Sequence, residues 1–175
     1  MTKIISKAAI KRRAYWVKEI EKLSGNFGID TQRLDNELGK EIEKSGASVI
    51  IDHLRLCGNI PESYRHDSSE EKLYSKYTDS LLSFSYTAMG LTSLVLTERA
   101  DAADVEAFAK DFSFVADAKV FRLSRTAKNQ KDFKIEALDK WRQGADFACL
   151  VCPLYQYPNT NSQIYLQAVR YNVTL

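Results

Sequence analysis

The chain has 175 residues, of which 45% are hydrophobic and 27% charged, with a formal net charge of +2. That length can bury one sizeable core, and the composition is that of a soluble globular domain, excluding a disordered, collagen-like or disulfide-stapled chain. The three cysteines (Cys57, Cys149 and Cys152) are an odd count without zinc-type partner histidines, so free buried thiols in a reducing cytoplasm are expected.

Residues 1–22 carry Lys3, Lys7, Lys11, Arg12, Arg13, Lys18 and Lys22 against Glu19 and Glu21. Charges therefore interrupt the opening apolar run, and no secretory h-region forms. A loose helical period over 4–23 includes Ile4, Ala8, Trp16 and Ile20. Further helices are predicted over 31–43 and 47–57, set off by Gly25, Gly28 and Gly46. Gly58, Pro61 and the polar residues to Asp67 read as a linker. From 69 to 88, Leu73, Tyr77, Leu81, Phe84 and Ala88 share one narrow arc at about 100° per residue, which predicts a strong helix. Two uncharged stretches, 80–97 and 147–169, are broken by Ser and Thr or by prolines, so neither is expected to span a membrane.

The period then changes. Phe112, Phe114, Ala116, Ala118 and Val120 alternate with Ser113, Val115, Asp117 and Lys119, predicting a strand over 112–121 with one core face and one polar face. Residues 104–109 alternate too. With Lys110-Asp111 as a two-residue turn, Val105 lies opposite Ala116 and Asp104 opposite Asp117, and the two apolar sets share a face. A shift of one residue would destroy that agreement. Helical pattern returns over 128–142, with Phe133, Ala137, Leu138 and Trp141 on one side, and Gly144 ends it. Residues 147–151 read as a central strand, Asn161 as the cap of a short helix through Arg170, and 172–175 as a last strand. Helix, strand, strand, helix, strand, helix, strand argues for an α/β sandwich with a mixed sheet.

Facing aspartates would sit roughly 5 Å apart at Cβ and repel unless protonated or bridged by a cation. Lys119 is two residues further, on the same side as Asp117. Carboxylates that hold Mg²⁺, with a lysine beside them, are what metal-assisted phosphodiester hydrolysis needs. Acid-x-Lys occurs three times (Glu70–Lys72, Asp117–Lys119, Asp132–Lys134), but the middle one alone has a second acid across a hairpin. Solvent-facing strand charges are the competing reading. Glu71 is a candidate third acid, although Ser68-x-x-Glu71 also matches a capping box. The run Lys119, Arg122, Arg125, Lys128, Lys131 and Lys134 suits a phosphate backbone, or is simply a solvated basic face. His53 is read as a helix residue and His66 as a loop residue. Tyr155, Tyr157 and Tyr165 are assigned to loop or core packing.

The segment VADAKVFRLSRTAKNQKDFKIEALDKW, from Val115 to Trp141, closely resembles the HindIII family of type II restriction endonucleases. Similarity extends upstream through SSEEKLYSK and downstream through QYPNTNSQIY, over roughly residues 60–175. The resemblance implies a PD-(D/E)xK nuclease: a restriction-endonuclease-like α/β core with a mixed central sheet flanked by helices. Residues 1–60 would be a helical region packing on an incomplete core of 61–175, together forming one structural domain. It assigns Asp104 and Asp117 as metal-binding acids, Lys119 as the motif lysine and Glu71 as the helical acid of the active site. The proline of the motif is replaced by Ala103. Arg122, Ser124, Arg125, Lys128, Asn129 and Lys131 become DNA contacts, with Arg and Asn suited to reading base edges. The implied activity is Mg²⁺-dependent cleavage of palindromic double-stranded DNA, AAGCTT for the namesake, by a cytoplasmic homodimer paired with a cognate DNA methyltransferase. Family members are considerably longer, so the resemblance also implies truncation inside a C-terminal strand. A catalytic fragment, with low or no activity alone, and an inactive DNA-binding remnant are both consistent with that.

Overall fold

The computed structural model describes residues 5–96, 102–125 and 130–175. Three helices come first: α1 (Lys7–Ile20), α2 (Phe27–Ser45) and α3 (Ala47–Leu56). Side-chain caps set the first two starts. Ser6 Oγ accepts from Ala9 N–H at 2.9 Å, and Asn26 Oδ1 accepts from Ile29 N–H at 3.1 Å. Gly46, at φ +77°, turns the chain between α2 and α3, a conformation that disfavours any side chain. Trp16, Ile20, Leu34, Leu38 and Ile50 from these helices close over Leu73, Tyr77 and Leu81 of α4 (Ser69–Ala88). Each such burial contributes roughly 1.5–3 kcal/mol.

Helix α4 keeps its predicted limits but is more deeply placed than one apolar arc suggests. Thr78, Asp79, Ser80 and Ser83 are buried along with Leu73, Tyr77 and Leu81, while Ala88 at the predicted end of the arc is exposed. The reason is the sheet, which covers the side of α4 away from α1–α3.

Five strands run in the order β1-β2-β3-β4-β5. They are β1 (Thr92–Val95), β2 (Val105–Phe108), β3 (Ser113–Ala118), β4 (Phe147–Val151) and β5 (Val173–Thr174). The first three are antiparallel, and β3, β4 and β5 are parallel, so the sheet is mixed. The β2–β3 hairpin has the expected register. Val105 pairs with Ala116, and Ala109 N–H donates to Phe112 O at 2.8 Å, leaving Lys110 and Asp111 as the turn.

Several expectations need correction. The strand β1 was not anticipated, because TSLV is too short to show a period. The hairpin strand ends at Ala118 rather than 121, and it is covered on both faces instead of one. Leu82, Tyr86, Val105, Ala107, Phe114 and Ala116 form the core toward α4. Val115 joins a second core on the opposite face with Phe133, Leu138, Leu150 and Ile164. Phe112, assigned to the core, is 43% exposed beside the turn. The helix expected over 128–142 is interrupted at Lys134 (φ +48°), between a 3-10 turn Gln130–Phe133 and α5 (Ile135–Trp141). A continuous helix would point residues 133 and 135 about 200° apart. The left-handed residue turns both inward, to 0% and 1% exposure. Finally, α6 (Gln163–Tyr171) is capped by Ser162 instead of Asn161, after a turn closed by Ser162 N–H to Asn159 O at 2.8 Å.

Where β3 ends, a buried glutamine takes over. Gln156 Oε1 accepts from Phe121 N–H at 2.9 Å, while its Nε2 donates to Phe121 O at 3.0 Å and to Gly58 O at 2.6 Å. A Cβ on Gly58 would lie 2.6 Å from Pro153 Cγ and 2.8 Å from the Tyr155 hydroxyl, so this approach requires glycine. The clamp fixes the chain immediately after the hairpin. No disulfide joins Cys57, Cys149 and Cys152, and all three are partly exposed instead of buried as expected. Among the described residues, no helix is long and apolar enough to cross a membrane.

Candidate active site

Strand β3 is hydrogen-bonded on both sides, to β2 and to β4, so its backbone is held from two directions. Asp117 sits within it and is 1% exposed. Lys119 follows just past the strand end, and its N–H continues the ladder to Val151 O at 2.8 Å. The Val105–Ala116 pairing brings Asp104 across from Asp117. Lys119 Nζ lies 2.6 Å from Asp117 Oδ2. Even so, neither Asp117 oxygen has an aligned N–H or hydroxyl donor among the described residues.

A carboxylate buried beside a second carboxylate is costly to ionise, and the ionisation of the pair reflects it. Burial pushes the Asp117 carboxyl up to about 7, and Asp104 adds to the rise. Asp104 moves the other way. Burial acts upward on it, but sharing a proton with Asp117 and the nearby Lys76 hold it below its ordinary value.

Helix α4 adds two residues that sequence reasoning missed. Lys76 Nζ lies 3.1 Å from Asp104 Oδ1 and 3.1 Å from Asp79 Oδ2. Asp79 is 2% exposed, and burial, then Asp104, push its carboxyl well above the ordinary value. Lys76, Asp79, Asp104 and Lys119 line a cleft of about 420 Å³. The only signal in the sequence was an acid placed amid an otherwise uncharged half-helix, a position that reads equally well as a solvated face.

The remaining predicted residues lie next door. Glu71, Arg122, Ser124 and Arg125 line a groove of about 560 Å³, which shares Lys72, Ser75 and Val120 with the cleft. Glu71 does belong to a cap: its N–H donates to Ser68 Oγ at 3.3 Å, and its carboxylate accepts from Asp67 N–H at 2.6 Å. Its other oxygen lies 3.2 Å from Arg122 Nη2. Glu71 can also meet a common cation with His66 and Asp67, an exposed trio apart from Asp104 and Asp117. Arg122 Nε and Nη2 are shielded from solvent without an aligned acceptor among the described residues. Ser124 is held by Glu62 at 2.9 and 2.6 Å, and Arg125 by Asp132 at 2.7 Å. Lys131 is exposed beyond the groove. Lys128 and Asn129 lie outside the described residues.

A mixed sheet flanked by helices, with a buried and a half-buried carboxylate facing each other at a hairpin and a lysine just past its end, is a restriction-endonuclease-like α/β core. Residues 13–175 match the family described as HindIII restriction endonuclease. Over 142 residues the chain is 46% identical to the Type II restriction enzyme HindIII of Haemophilus influenzae, a match covering 80% of this chain and 47% of that protein. The chain belongs to the HindIII restriction endonuclease family. It spans about half the length of the curated relative it matches.

Proposed function

We propose that this chain carries the catalytic core of a type II restriction endonuclease, a Mg²⁺-dependent nuclease for palindromic double-stranded DNA with AAGCTT as its site. The observation that carries the reading is Asp117, a buried carboxylate that faces a second carboxylate, has the Lys119 ammonium 2.6 Å away and has no aligned hydrogen-bond donor among the described residues. Hard divalent cations take carboxylate oxygens, so the residues fit Mg²⁺, with Asp104 and Asp117 as its holders. The ion would supply polarisation of the scissile phosphate and a more acidic bound water. Lys119, anchored by its backbone to β4, would orient the attacking water and offset charge on the phosphate. Arg122, Arg125, Lys128 and Lys131 would meet the DNA backbone, while Ser124 and Asn129 add neutral contacts. Glu71 would release Arg122 to a phosphate rather than hold the ion itself.

Cutting both strands of a palindrome needs two such sites related by a two-fold axis, so a homodimer is the working form of this reading. A cytoplasmic location and a cognate DNA methyltransferase belong to the same reading. The test is incubation of the purified chain with an AAGCTT plasmid and Mg²⁺. Metal-dependent scission at that site, slow for this chain alone and lost in Asp117→Asn, is the expected chemistry. Metal-independent retention of the duplex without any cleavage would instead favour a DNA-binding remnant.

A further inference from the structure

The carboxylate that must accept a metal ion is already holding a cation. Asp104 Oδ1 contacts Lys76 Nζ at 3.1 Å, and the same ammonium group reaches Asp79 Oδ2 at 3.1 Å. Lys76 and Asp79 are three residues apart on α4, whereas Asp104 comes from the hairpin. The contact to Asp79 is therefore local to one helix turn, and the contact to Asp104 is the one that crosses between elements. Asp79 is 2% exposed, and among the described residues its ion-pair partner is Lys76.

We propose that Lys76 is an internal competitor for divalent metal: it occupies Asp104 in the metal-free protein and withdraws onto Asp79 when an ion binds. The inference rests on the metal-site reading above and adds a residue that sets its affinity. The charges around the cleft support an exchange of this kind. Three carboxyl groups (Asp79, Asp104 and Asp117) face two ammonium groups (Lys76 and Lys119), so a divalent ion arriving with Lys76 still on Asp104 would crowd cations around one oxygen. Asp79 lets the lysine give way without leaving a buried charge unpaired. Lys76 also has room to shift, since its side chain keeps 29% exposure and lines the cleft.

The two ends of the exchange make opposite predictions, which a purely structural ion pair would not. Mn²⁺ is titrated into the metal-free full chain, and free Mn²⁺ is read by its electron paramagnetic resonance signal. Lys76→Met should tighten Mn²⁺ binding by roughly 10- to 100-fold, the range for groups that act on metal ligands from outside the coordination sphere. Asp79→Asn removes the seat to which Lys76 withdraws and should weaken binding. Lys72→Met, a charge loss lining the same cleft, controls for the general field and should change binding far less. Tightening in Lys76→Met no greater than in Lys72→Met, or tighter binding in Asp79→Asn, overturns the proposal. If Lys76→Met does not fold, the double variant Lys76→Met/Asp79→Asn removes both charges together. It should bind Mn²⁺ more tightly than the unaltered chain, and failure to do so also overturns it. Identical titrations for the unaltered chain and Asp117→Asn would show that the ion does not bind at the carboxylate pair, and the metal-site reading itself would fall.

Discussion

Asp117→Asn keeps the shape of the side chain and deletes its charge, and in metal-free protein it should make the fold more stable. The Asp117 carboxyl titrates near 7 in the folded chain against an ordinary value of 3.8, a gap worth roughly 4 kcal/mol. Between those two values the folded state binds a proton that the unfolded state has lost. Stability of the unaltered protein therefore falls as pH rises through that window, and the full cost is reached above about pH 7. Asparagine escapes that cost but gives up the charged contact to the Lys119 ammonium, which returns about 1–2 kcal/mol. The net gain at pH 8 is then about 2–3 kcal/mol, or a urea midpoint higher by roughly 1–2 M. Urea titrations at pH 5 and pH 8 in a chelator read this directly. The advantage of the variant should grow by roughly 2–3 kcal/mol between the two pH values. Adding Mg²⁺ at pH 8 should stabilise the unaltered chain and leave the variant unmoved. A variant less stable at pH 8, or a difference independent of pH, would refute the reasoning.

Three further outcomes follow from contacts around the site. Gln156→Ala strips partners from the Phe121 amide, the Phe121 carbonyl and the Gly58 carbonyl, and should cost about 3 kcal/mol or more by chemical denaturation. Gly58→Ala drives a methyl to 2.6 Å from Pro153 Cγ and should lower stability by about 1–3 kcal/mol without changing the unfolding slope. Arg122→Ala should flatten the salt dependence of duplex retention by about 0.9 in log–log slope, the share of one phosphate contact, as seen by filter binding across a salt series.

Periodicity was most informative where an element had a single dominant environment. The limits of α4 and β4 and the β2–β3 register follow from apolar spacing and a two-residue turn, and these alone place Asp104 against Asp117. It failed where two cores compete for one segment. Val115 was counted on a polar face because its neighbours Ser113 and Asp117 are polar, yet α5 and α6 bury it. The break at Lys134 was invisible because Phe133 and Ile135 both satisfy a helix-like composition, and only tertiary packing decides that both turn inward. Asp79 and Lys76 escaped notice for a related reason. An i, i+3 acid–base pair on a helix ordinarily faces water, and nothing local reports the hairpin that closes over it.

Helix α4 touches every part of the molecule that matters to the site. Glu71, Lys72 and Ser75 border the groove, Lys76 and Asp79 reach the cleft, Leu73, Tyr77 and Leu81 pin α1–α3, and Leu82 and Tyr86 lie under the sheet. At 20 residues it is a rod of about 30 Å with obligations on all sides. Most surface helices keep one flank on which mutations accumulate harmlessly, as α2 does along Gln32, Asn36 and Lys40. From Leu73 to Tyr86, α4 has almost no such flank, so its sequence has little room to drift.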